Sequence, residues 1–456
     1  MNISIIGTGY VGLVSGVCLA ELGHTIRCVD KDRKIIDQIA AGNSPIHEAG
    51  LYDLLARNIH GRLRATTDLQ QAVVDSDLTL IAVGTPFDGQ RIDLSFVRQA
   101  AQEIGETLAK KNTHHTVVVK STVVPGTTQG VVLPILEQAS GKKAGRGFGV
   151  GMNPEFLSEG SAVADFMSPD RIVLGGMDDR TIEMMEQLYA PMDQSVPRLR
   201  TTTRTAEMIK YASNALQATM ISFANEMAGI CAGIGDVDVV DVMRGVHLMR
   251  PLTSKGADGQ TVTAEITHFL NAGCGFGGSC FPKDIKALTA HASRIGAATP
   301  LLNAVLSTNA GQPHRVVELL RQHLGRPLDG SKVAVAGLAF KPGTDDLRES
   351  PALVVIEELL RCGVTVNAFD PAAGTNAKDL FGSRIQVKSS LAAAIEGAEA
   401  VLILTSWPEF TSLPALIAGR ANPPLVVDGR RMLAKDSVAR YAGIGRSDGE
   451  NTGEQR

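Results

Sequence analysis

The chain has 456 residues, of which 44% are hydrophobic and 20% are charged, and its formal net charge at pH 7 is −4. This length predicts about two to four domains, and the composition is that of an ordinary globular protein. Because the charges nearly balance and no basic stripe is interleaved with aromatic residues, we expect no nucleic-acid partner. The first residues enter an apolar run without a charged leader, and no later run reaches the ~20 apolar residues that cross a bilayer. We therefore expect a cytoplasmic protein without a membrane segment.

The cysteines indicate neither a metal site nor a disulfide framework. The six of them form no CxxC pair and no cluster with histidine at the spacing of zinc ligands. Most of these thiols should serve as small apolar side chains. They are Cys18, Cys28, Cys231, Cys274, Cys280 and Cys362.

A glycine-rich turn near the amino terminus predicts a dinucleotide site. In such a turn the glycines permit a tight bend, close approach of a pyrophosphate and packing of helix on strand, and an acid after the second strand binds ribose hydroxyls. The acid favours NAD over NADP because it would repel a 2′-phosphate. The elements are a strand at residues 3–6, the glycines Gly7, Gly9 and Gly12, a helix at residues 13–22, a strand at residues 25–29 and Asp30.

Polar turns follow the next predicted strands. Strands at residues 78–83 and 116–120, separated by a helical pattern at residues 94–108, lead into turns that carry Thr85 and Thr122. Because the carboxyl ends of parallel strands face the ligand crevice, both threonines are candidate cofactor neighbours.

A further polar segment follows an apolar run at residues 148–152 and carries Glu155 and Glu159. A single carboxylate usually lies on the surface. At the end of a sheet strand, a surface position and a role in a site are about equally favoured.

A long helical pattern covers residues 203–232 and could join two domains. Lys210 and Asn214, four residues apart, would project from one face of it. Spacing alone favours the simpler interpretation of an exposed lysine and a neutral asparagine. After this helix, residues 252–261 are polar and glycine-containing, which predicts a surface excursion.

The segment around Cys280 has the features of a prepared nucleophile. Two glycines at residues 277–278 let the backbone approach a ligand closely. If a helix starts at residues 281–282, Cys280 lies at its positive end, which favours the thiolate, and Asp284 can share its face. For a lone cysteine, the more common alternative is a buried, inert thiol.

The last third of the chain repeats the opening pattern without the full glycine motif. It predicts a second doubly wound domain, in which Lys341 and Arg348 suit phosphate binding unless they are merely solvated cations. The predicted elements are strands at residues 333–336, 364–369, 400–404 and 425–427, a turn at Gly337, a helix at residues 351–361 and Asp370.

The predicted fold class is therefore α/β, with two Rossmann-like doubly wound domains joined by a long central helix and a helical middle domain. The predicted domains are residues 1–200, which bind NAD, 201–325, which hold the cysteine, 326–445, which bind the nucleotide part of a substrate, and a disordered tail at 446–456.

Together these segments resemble the nucleotide-sugar dehydrogenase family, and within it the branch that acts on UDP-glucose. The matching motifs occur in family order and cover residues 1 to about 435. They lie at residues 7–13, 153–157, 206–214, 277–284 and 341–348.

The resemblance implies a two-step oxidation of a primary alcohol, the C6 hydroxymethyl group of UDP-glucose, to a carboxylate with two NAD molecules. Cys280 would form a thiohemiacetal and then a thioester with the intermediate aldehyde. Lys210 and Asn214 would stabilise the oxyanion. Asp284 would transfer protons, with Thr122 and Glu155 near the hydrolytic water. Which group is the base at each step stays open.

The resemblance also implies two sets of ligand contacts. Those to NAD are Gly7, Gly9, Val11, Gly12, Asp30, Thr85, Thr122, Glu159, Lys283 and Arg348. Those to the nucleotide sugar are Glu155, Phe156, Leu157, Ser158, Glu159, Lys210, Asn214, Phe269, Leu270, Asn271, Ala272, Gly273, Gly277 and Lys341.

The resemblance further implies a homodimer or higher homo-oligomer, with the long helix at the interface. The chain departs from a common family pattern at Ser158, where a basic residue is frequent, and at residues 252–261. The alternatives are the same chemistry on GDP-mannose or a UDP-N-acetylhexosamine, and a catalytically silent NAD-binding protein, because a fold alone does not establish activity.

Overall fold

The structure, a computed structural model, describes residues 1–256 and 258–446. It divides into two compact units, Met1–Ser213 and Asn214–Arg456. The predicted disordered tail lies, from residue 447 onward, outside the described residues.

Unit 1 contains an eight-stranded sheet in the order β3-β2-β1-β4-β5-β6-β7-β8. Neighbouring strands are parallel except β6 and β7, which are antiparallel. The strands are β1 (Asn2–Ile6), β2 (Thr25–Val29), β3 (Leu63–Thr66), β4 (Leu78–Ile81), β5 (Thr116–Val119), β6 (Gly149–Met152), β7 (Ile172–Gly176) and β8 (Arg198–Thr201).

The helices of unit 1 connect these strands. They are α1 (Tyr10–Glu21), α2 (Arg33–Ala40), α3 (Leu51–Asn58), α4 (Leu69–Val74), α5 (Ser95–Lys110), a π-helical turn (Thr128–Val132), α6 (Leu133–Ser140), α7 (Ala162–Met167) and α8 (Asp179–Leu188).

The sheet of unit 1 is covered by apolar residues on both faces, because successive side chains of a strand point to opposite sides. Ile3 and Ile5 belong to the core cluster that contains Leu13 of α1, whereas Ile6 belongs to the cluster that contains Val97 of α5. This burial on both faces explains the continuous apolar runs from which the strands were predicted.

Helix α9 (Thr203–Ile234) follows β8, and the division between the units falls inside it. The remaining helices of unit 2 are α10 (Val239–His247), α11 (Phe281–Arg294), α12 (Pro300–Leu324), α13 (Pro351–Arg361), α14 (Gly374–Phe381), α15 (Leu391–Ala394) and α16 (Leu413–Ile417). Short 3₁₀ turns lie at Arg250–Leu252, Glu265–Phe269, Gly382–Arg384 and Pro408–Ser412.

Unit 2 contains a six-stranded parallel sheet in the order β13-β12-β11-β14-β15-β16. A separate antiparallel pair, β9 (Thr253–Lys255) and β10 (Thr261–Thr263), forms the predicted surface excursion. The sheet strands are β11 (Lys332–Ala336), β12 (Thr365–Phe369), β13 (Gln386–Val387), β14 (Ala400–Ile403), β15 (Leu425–Asp428) and β16 (Tyr441–Gly443).

The predicted fold class is confirmed, since both large sheets are doubly wound. The predicted domain boundaries stay predictions. The first helix begins at Tyr10 rather than at residue 13, because Gly12 lies inside the helix, packed so closely that an added Cβ would lie 1.9 Å from the Gly7 carbonyl oxygen. Among the described residues, no helix is both long and apolar enough to cross a membrane.

Candidate active site

The glycine turn of unit 1 forms a main-chain cradle at the start of α1. Gly7 has φ +97°, and its N–H donates to the Val29 carbonyl at 2.8 Å. A Cβ added at Gly9 would have no atom of the described residues within 4 Å, apart from its chain neighbours, so open space lies beside this residue. Because a helix leaves its first N–H groups without intrahelical acceptors, the start of α1 fits an anionic pyrophosphate.

Asp30 stands at the end of β2, where the sequence predicted the ribose-binding acid. Its Oδ2 accepts hydrogen bonds from the N–H and the hydroxyl of Thr8, each at 2.9 Å, and its Oδ1 accepts from the Asp32 N–H at 3.0 Å. The carboxylate is thus fixed against the glycine turn. The glycine cradle and the acid together fit a dinucleotide.

The two predicted threonines lie together. Thr85 donates its hydroxyl hydrogen bond to the carbonyl of Thr122 at 2.8 Å. The Ser121 hydroxyl holds the same region by donating to the Ile81 and Val83 carbonyls at 3.2 and 2.7 Å. The carboxyl ends of β4 and β5 therefore meet, as the strand-end argument predicted.

Glu155 and Lys210 form a buried ion pair in unit 1, with 3.0 Å between Oε1 and Nζ. The Leu157 N–H donates to the other carboxylate oxygen at 2.7 Å. Burial alone would raise the pKa of Glu155, but the charge and hydrogen bond of Lys210, the Leu157 N–H and the charge of Lys120 hold it below its ordinary value. Glu155 is therefore ionised at neutral pH, and Lys210 is not the exposed lysine of the simpler interpretation.

Lys120 belongs to the same buried cluster, although the sequence reading did not select it. Its Nζ donates to the Asn153 Oδ1 at 3.0 Å. Burial lowers its pKa to about 8, against the opposing charge of Glu155 and with the help of Lys210. Lys120 follows β5 directly, so the argument that selected Thr122 could have found it.

Residues 156–159, which follow Glu155, differ in how closely they pack against the Glu155–Lys210 ion pair. The Phe156 ring lies 3.9 Å from the Arg171 guanidinium carbon and 5.6 Å from the Lys210 Nζ. Ser158 is exposed, and its N–H donates to the Asp165 carboxylate at 2.8 Å. Leu157 and Glu159 are half-buried. Phe156 is thus the member of this segment that packs against the cations.

In unit 2, the predicted helix start after Cys280 is confirmed. Helix α11 begins at Phe281, and Cys280 is its N-cap residue, whose carbonyl accepts from the Asp284 N–H at 2.8 Å. The thiol is half-buried, and its Sγ lies 3.6 Å from the Ser279 hydroxyl oxygen. Cys280 therefore stands at the positive end of the α11 dipole, beside a hydroxyl group.

The Asp284 carboxylate is only 2% exposed and is held by two predicted site residues. Asn214 donates its amide to Oδ2 at 2.7 Å, and the Lys283 ammonium pairs with Oδ1. A buried carboxylate requires such donors. The structure therefore brings Asn214, Lys283 and Asp284 together. The sequence predicted a role for each of them but not this contact.

A cavity of about 500 Å³ lies within unit 2. Leu270 is buried but is not among its lining residues. Most of the predicted nucleotide-sugar contacts of unit 2 line the cavity, namely Phe269, Asn271, Ala272, Gly273, Gly277 and Lys341.

Arg430 and Arg431 also line this cavity but were not predicted. Arg430 donates to three carbonyls, those of Leu404 at 2.7 Å, Gly275 at 2.9 Å and Phe340 at 3.4 Å. It thereby ties the segment before Cys280 to two loops of the sheet. Both arginines follow β15, so the strand-end argument could have found them too.

The Arg348 carbonyl accepts from the Gly278 N–H at 2.9 Å, so its main chain contacts the glycine pair before Cys280. Its guanidinium binds the Asp346 carboxylate in a fork, with 2.9 Å from Nε and 2.6 Å from Nη2, and its side chain is 63% exposed. Its expected contact with NAD stays a prediction.

Models of one family match three stretches of the chain. The UDP-glucose/GDP-mannose dehydrogenase family matches with its NAD binding domain at residues 1–193, its central domain at residues 204–311 and its UDP binding domain at residues 334–435.

Individual relatives match over most of the chain. The UDP-glucose 6-dehydrogenase of Haloferax volcanii is 45% identical over 448 residues, which cover 97% of this chain and 100% of the relative. The GDP-mannose 6-dehydrogenase of Pseudomonas aeruginosa is 41% identical over 372 residues, 81% of each chain. The solved structure of a UDP-glucose dehydrogenase from Pyrobaculum islandicum superposes with a TM-score of 0.88 at 38% identity and covers 97% of each chain.

These matches agree with the glycine cradle and Asp30 in unit 1, which fit NAD as the cofactor. The chain therefore belongs to the UDP-glucose/GDP-mannose dehydrogenase family and is an NAD-dependent nucleotide-sugar 6-dehydrogenase.

Proposed function

We propose that this enzyme oxidises the C6 alcohol of UDP-glucose to the carboxylate of UDP-glucuronate in two steps that remove four electrons. The observation that carries this proposal is a cysteine at the N-cap of α11, in the unit whose cavity is large enough for much of a nucleotide sugar. A single alcohol oxidation needs no such nucleophile, whereas the oxidation of an aldehyde to an acid does. The high identity to UDP-glucose 6-dehydrogenases supports this choice of substrate.

Cys280 provides the covalent step of the proposed reaction. In the first oxidation, the alcohol loses a proton and a hydride and becomes an aldehyde. The Cys280 thiolate then adds to the carbonyl carbon and gives the oxyanion of a thiohemiacetal, which loses a second hydride and becomes a thioester. Water attacks the thioester carbon, the C–S bond breaks, and the carboxylate and the thiol are released. NAD supplies the hydride acceptor in both oxidations.

The proposal assigns the handling of charge and protons to polar residues of each unit. Asn214 and Lys210 lie one helical turn apart on α9, and an amide and an ammonium group suit the oxyanion of the tetrahedral adduct. Asp284, held by Asn214 and Lys283, would exchange the proton of the alcohol. Glu155, ionised beside Lys210, suits the activation of the hydrolytic water, together with Thr122.

The cofactor contacts in the proposal follow from the cradle. Gly9, Val11 and Gly12, at the start of α1, would hold the pyrophosphate of NAD, and Asp30 would accept from a ribose hydroxyl. The proposed contacts to NAD also include Thr85, Thr122, Glu159, Lys283 and Arg348.

GDP-mannose is the second candidate substrate. It is favoured by the 41% identity to the GDP-mannose 6-dehydrogenase of Pseudomonas aeruginosa, although that match covers 81% of the chain against 97% for the Haloferax volcanii relative. The reaction on either sugar would use the same chain residues.

A substrate panel tests the proposal. Purified enzyme is mixed with UDP-glucose, GDP-mannose or a UDP-N-acetylhexosamine, and the NADH formed per sugar consumed is measured. We expect about two NADH per UDP-glucose, because a four-electron oxidation transfers two hydrides. Turnover of GDP-mannose alone would show that GDP-mannose, and not UDP-glucose, is the substrate. Formation of one NADH per sugar would overturn the two-step chemistry.

Cys280→Ala is the matched variant for this test. We expect it to bind NADH as the wild type does and to form no acid, since the thioester requires the thiol. Cys362→Ala serves as the control, because this half-buried cysteine of unit 2 has no role in the proposed reaction. Acid formation by Cys280→Ala at the wild-type rate would exclude the covalent mechanism.

The proposed enzyme is also a homo-oligomer. Leu216, Phe223 and Ile230 repeat every seven residues along α9 and are 54%, 46% and 50% exposed. Such an apolar stripe is costly to leave in water and supports a contact with a second copy. Sedimentation velocity measures this, and a monomer at working concentration would contradict it.

A further inference from the structure

A buried carboxylate in unit 1 joins two segments to which the proposed reaction assigns different tasks. Glu48 lies in the connection between α2 and α3 and is 8% exposed. Its Oε2 accepts from the hydroxyl of Tyr10 and from the Gly160 N–H, the latter at 2.7 Å. The Gly160 N–H also lies 3.0 Å from the Tyr10 hydroxyl oxygen. Tyr10, Glu48 and Gly160 therefore form one hydrogen-bonded junction.

The two sides of this junction belong to the cofactor cradle and to the loop at residues 153–160. Tyr10 is the first residue of α1 and follows Gly9 directly, so it is part of the cofactor cradle. Gly160 ends the loop that carries Glu155 and Glu159. Through Glu48, the glycine turn and this loop are held at a fixed separation.

Glu48 also caps the helix that follows the loop. Its Oε1 accepts from the Ala162 N–H at 2.9 Å, at the start of α7, where the N-cap residue Ser161 makes no side-chain capping bond. The carboxylate thus supports the loop independently of Tyr10. The Tyr10 hydroxyl, in contrast, makes the connection to α1.

We propose that Tyr10 and Glu48 are positioning residues that fix the loop of Glu155 and Glu159 relative to the NAD cradle. This inference rests on the proposed function, in which both glutamates serve the reaction. The physical basis is that a hydrogen bond to a buried carboxylate has a narrow range of length and direction and is costly to leave unmade. Loss of the Tyr10 hydroxyl removes this hydrogen-bonded link between the loop and the cradle while the capping bonds of Glu48 to Gly160 and Ala162 remain.

The test measures steady-state kinetics of Tyr10→Phe, Glu48→Gln and the double variant in the full-length enzyme. For Tyr10→Phe we expect the KM for NAD to rise about five- to tenfold and kcat to fall by a similar factor, as for loss of one charge-assisted hydrogen bond. The melting temperature should stay within about 2 °C of the wild type, because the capping bonds persist. Affinity for UDP alone should not change.

Two further results decide between positioning and a merely structural role. If the two residues act as one junction, the double variant should be no worse than the more impaired single variant. A structural role would instead lower the melting temperature and the active fraction without changing the KM for NAD. Tyr52→Phe is the matched control, because Tyr52 is 59% exposed on α3.

The proposal is overturned if Tyr10→Phe keeps its KM for NAD and its kcat within twofold of the wild type, or if the single effects multiply in the double variant. Either outcome with an active wild type leaves the proposed function intact. Failure of the proposed function would instead appear as wild-type enzyme that turns over no nucleotide sugar.

Discussion

The two doubly wound sheets begin with the same turn and then use it differently. After β1, the Gly7 N–H donates to the Val29 carbonyl at 2.8 Å, and after β11, the Gly337 N–H donates to the Phe369 carbonyl at 2.8 Å. Both glycines have positive φ, +97° and +95°. The local geometry at the carboxyl end of the first strand is therefore the same in both units.

The difference lies in the chain that follows the turn. In unit 1, α1 starts at Tyr10, almost at once, and its N-cap is a glycine. In unit 2, residues 338–350 intervene before α13, whose first turn is capped by the Ser350 hydroxyl, which accepts from the Ala352 N–H at 3.3 Å. Unit 1 can thus offer main-chain N–H groups to a pyrophosphate, whereas unit 2 offers the side chains of its long loop, such as Lys341.

The acids at the ends of the second strands differ in the same sense. Asp30 accepts from Thr8 and Asp32 and is half-buried. Asp370 is 5% exposed and holds the start of the loop through the N–H groups of Leu338 and Ala339. It also accepts from the N–H groups of Ala372 and Ala373 and from the Trp407 indole. One acid is available to a ligand, and the other is structural.

Among variants that test the difference between the two units, Gly12→Ala is expected to have the largest effect. The added Cβ would lie 1.9 Å from the Gly7 carbonyl oxygen, so the backbone of the cradle must move. We expect a loss of about 3 kcal/mol or more in unfolding free energy and no measurable NADH binding, while UDP binding by unit 2 persists. Urea unfolding and calorimetric titration measure these effects.

The matched control for this variant is Gly9→Ala. Within the part of the chain that the structure describes, a Cβ at Gly9 would meet no atom within 4 Å, so this variant should fold normally. It should bind NADH more weakly, because the Cβ enters the cradle. Wild-type NADH affinity in Gly12→Ala would show that the cradle does not bind the cofactor.

The next effect compares Asp370→Asn with Asp30→Asn. Asp370→Asn should cost about 2–3 kcal/mol of unfolding free energy, because an amide cannot accept from every N–H that faces the carboxylate. Asp30→Asn should cost less than about 1 kcal/mol but should weaken NAD binding about tenfold. Differential scanning calorimetry and NADH titration separate the two, and equal destabilisation would reject the distinction between the acids.

The smallest effect is the acid sensitivity of unit 1. His115 is fully buried, with its Nε2 2.7 Å from the Thr79 hydroxyl oxygen, and burial, followed by the charge of Lys111, lowers its pKa to about 3. Below pH 6.5 the unfolded chain binds a proton that the folded one does not, so stability is lost as the pH falls. Between pH 7 and 5 this histidine should lower the free energy of unfolding by about 2 kcal/mol.

His115→Gln tests this directly. The free energy of unfolding of this variant should decrease less between pH 7 and 5 than that of the wild type, as measured by urea unfolding at each pH. Unit 2 should respond in the opposite direction at Asp428, since burial raises the pKa of that carboxyl and protonation at low pH relieves its cost. An unchanged pH dependence in His115→Gln would contradict the assignment.

Much of the fold follows from local sequence. The strand β2 was predicted at its observed bounds, as was helix α13, because apolar runs and the Pro351 and Gly363 signals are local. The bounds of α1 were wrong at the start, because Gly12 reads as part of the turn until the close approach to Gly7 is seen. That approach is a tertiary fact.

The candidate site was predicted less evenly. Cys280 and Asp284 could be selected because a glycine pair, a thiol and a helix start occur within a few residues. Lys120 and Arg430 are single cations that follow strands, and their sequence neighbours give no sign of the buried amide and carbonyl oxygens to which they donate. Such partners come from distant parts of the chain.

The sequence by itself determined the two alternating strand and helix patterns, the glycine turn with its acid, and the cysteine at a helix start, because each depends on residues close together along the chain. Tertiary structure decided that Glu155 pairs with Lys210, that Asp284 is held by Asn214, and that Glu48 joins Tyr10 to Gly160. A buried charge must find its partner wherever the fold brings one, and that pairing leaves no periodic mark on the sequence.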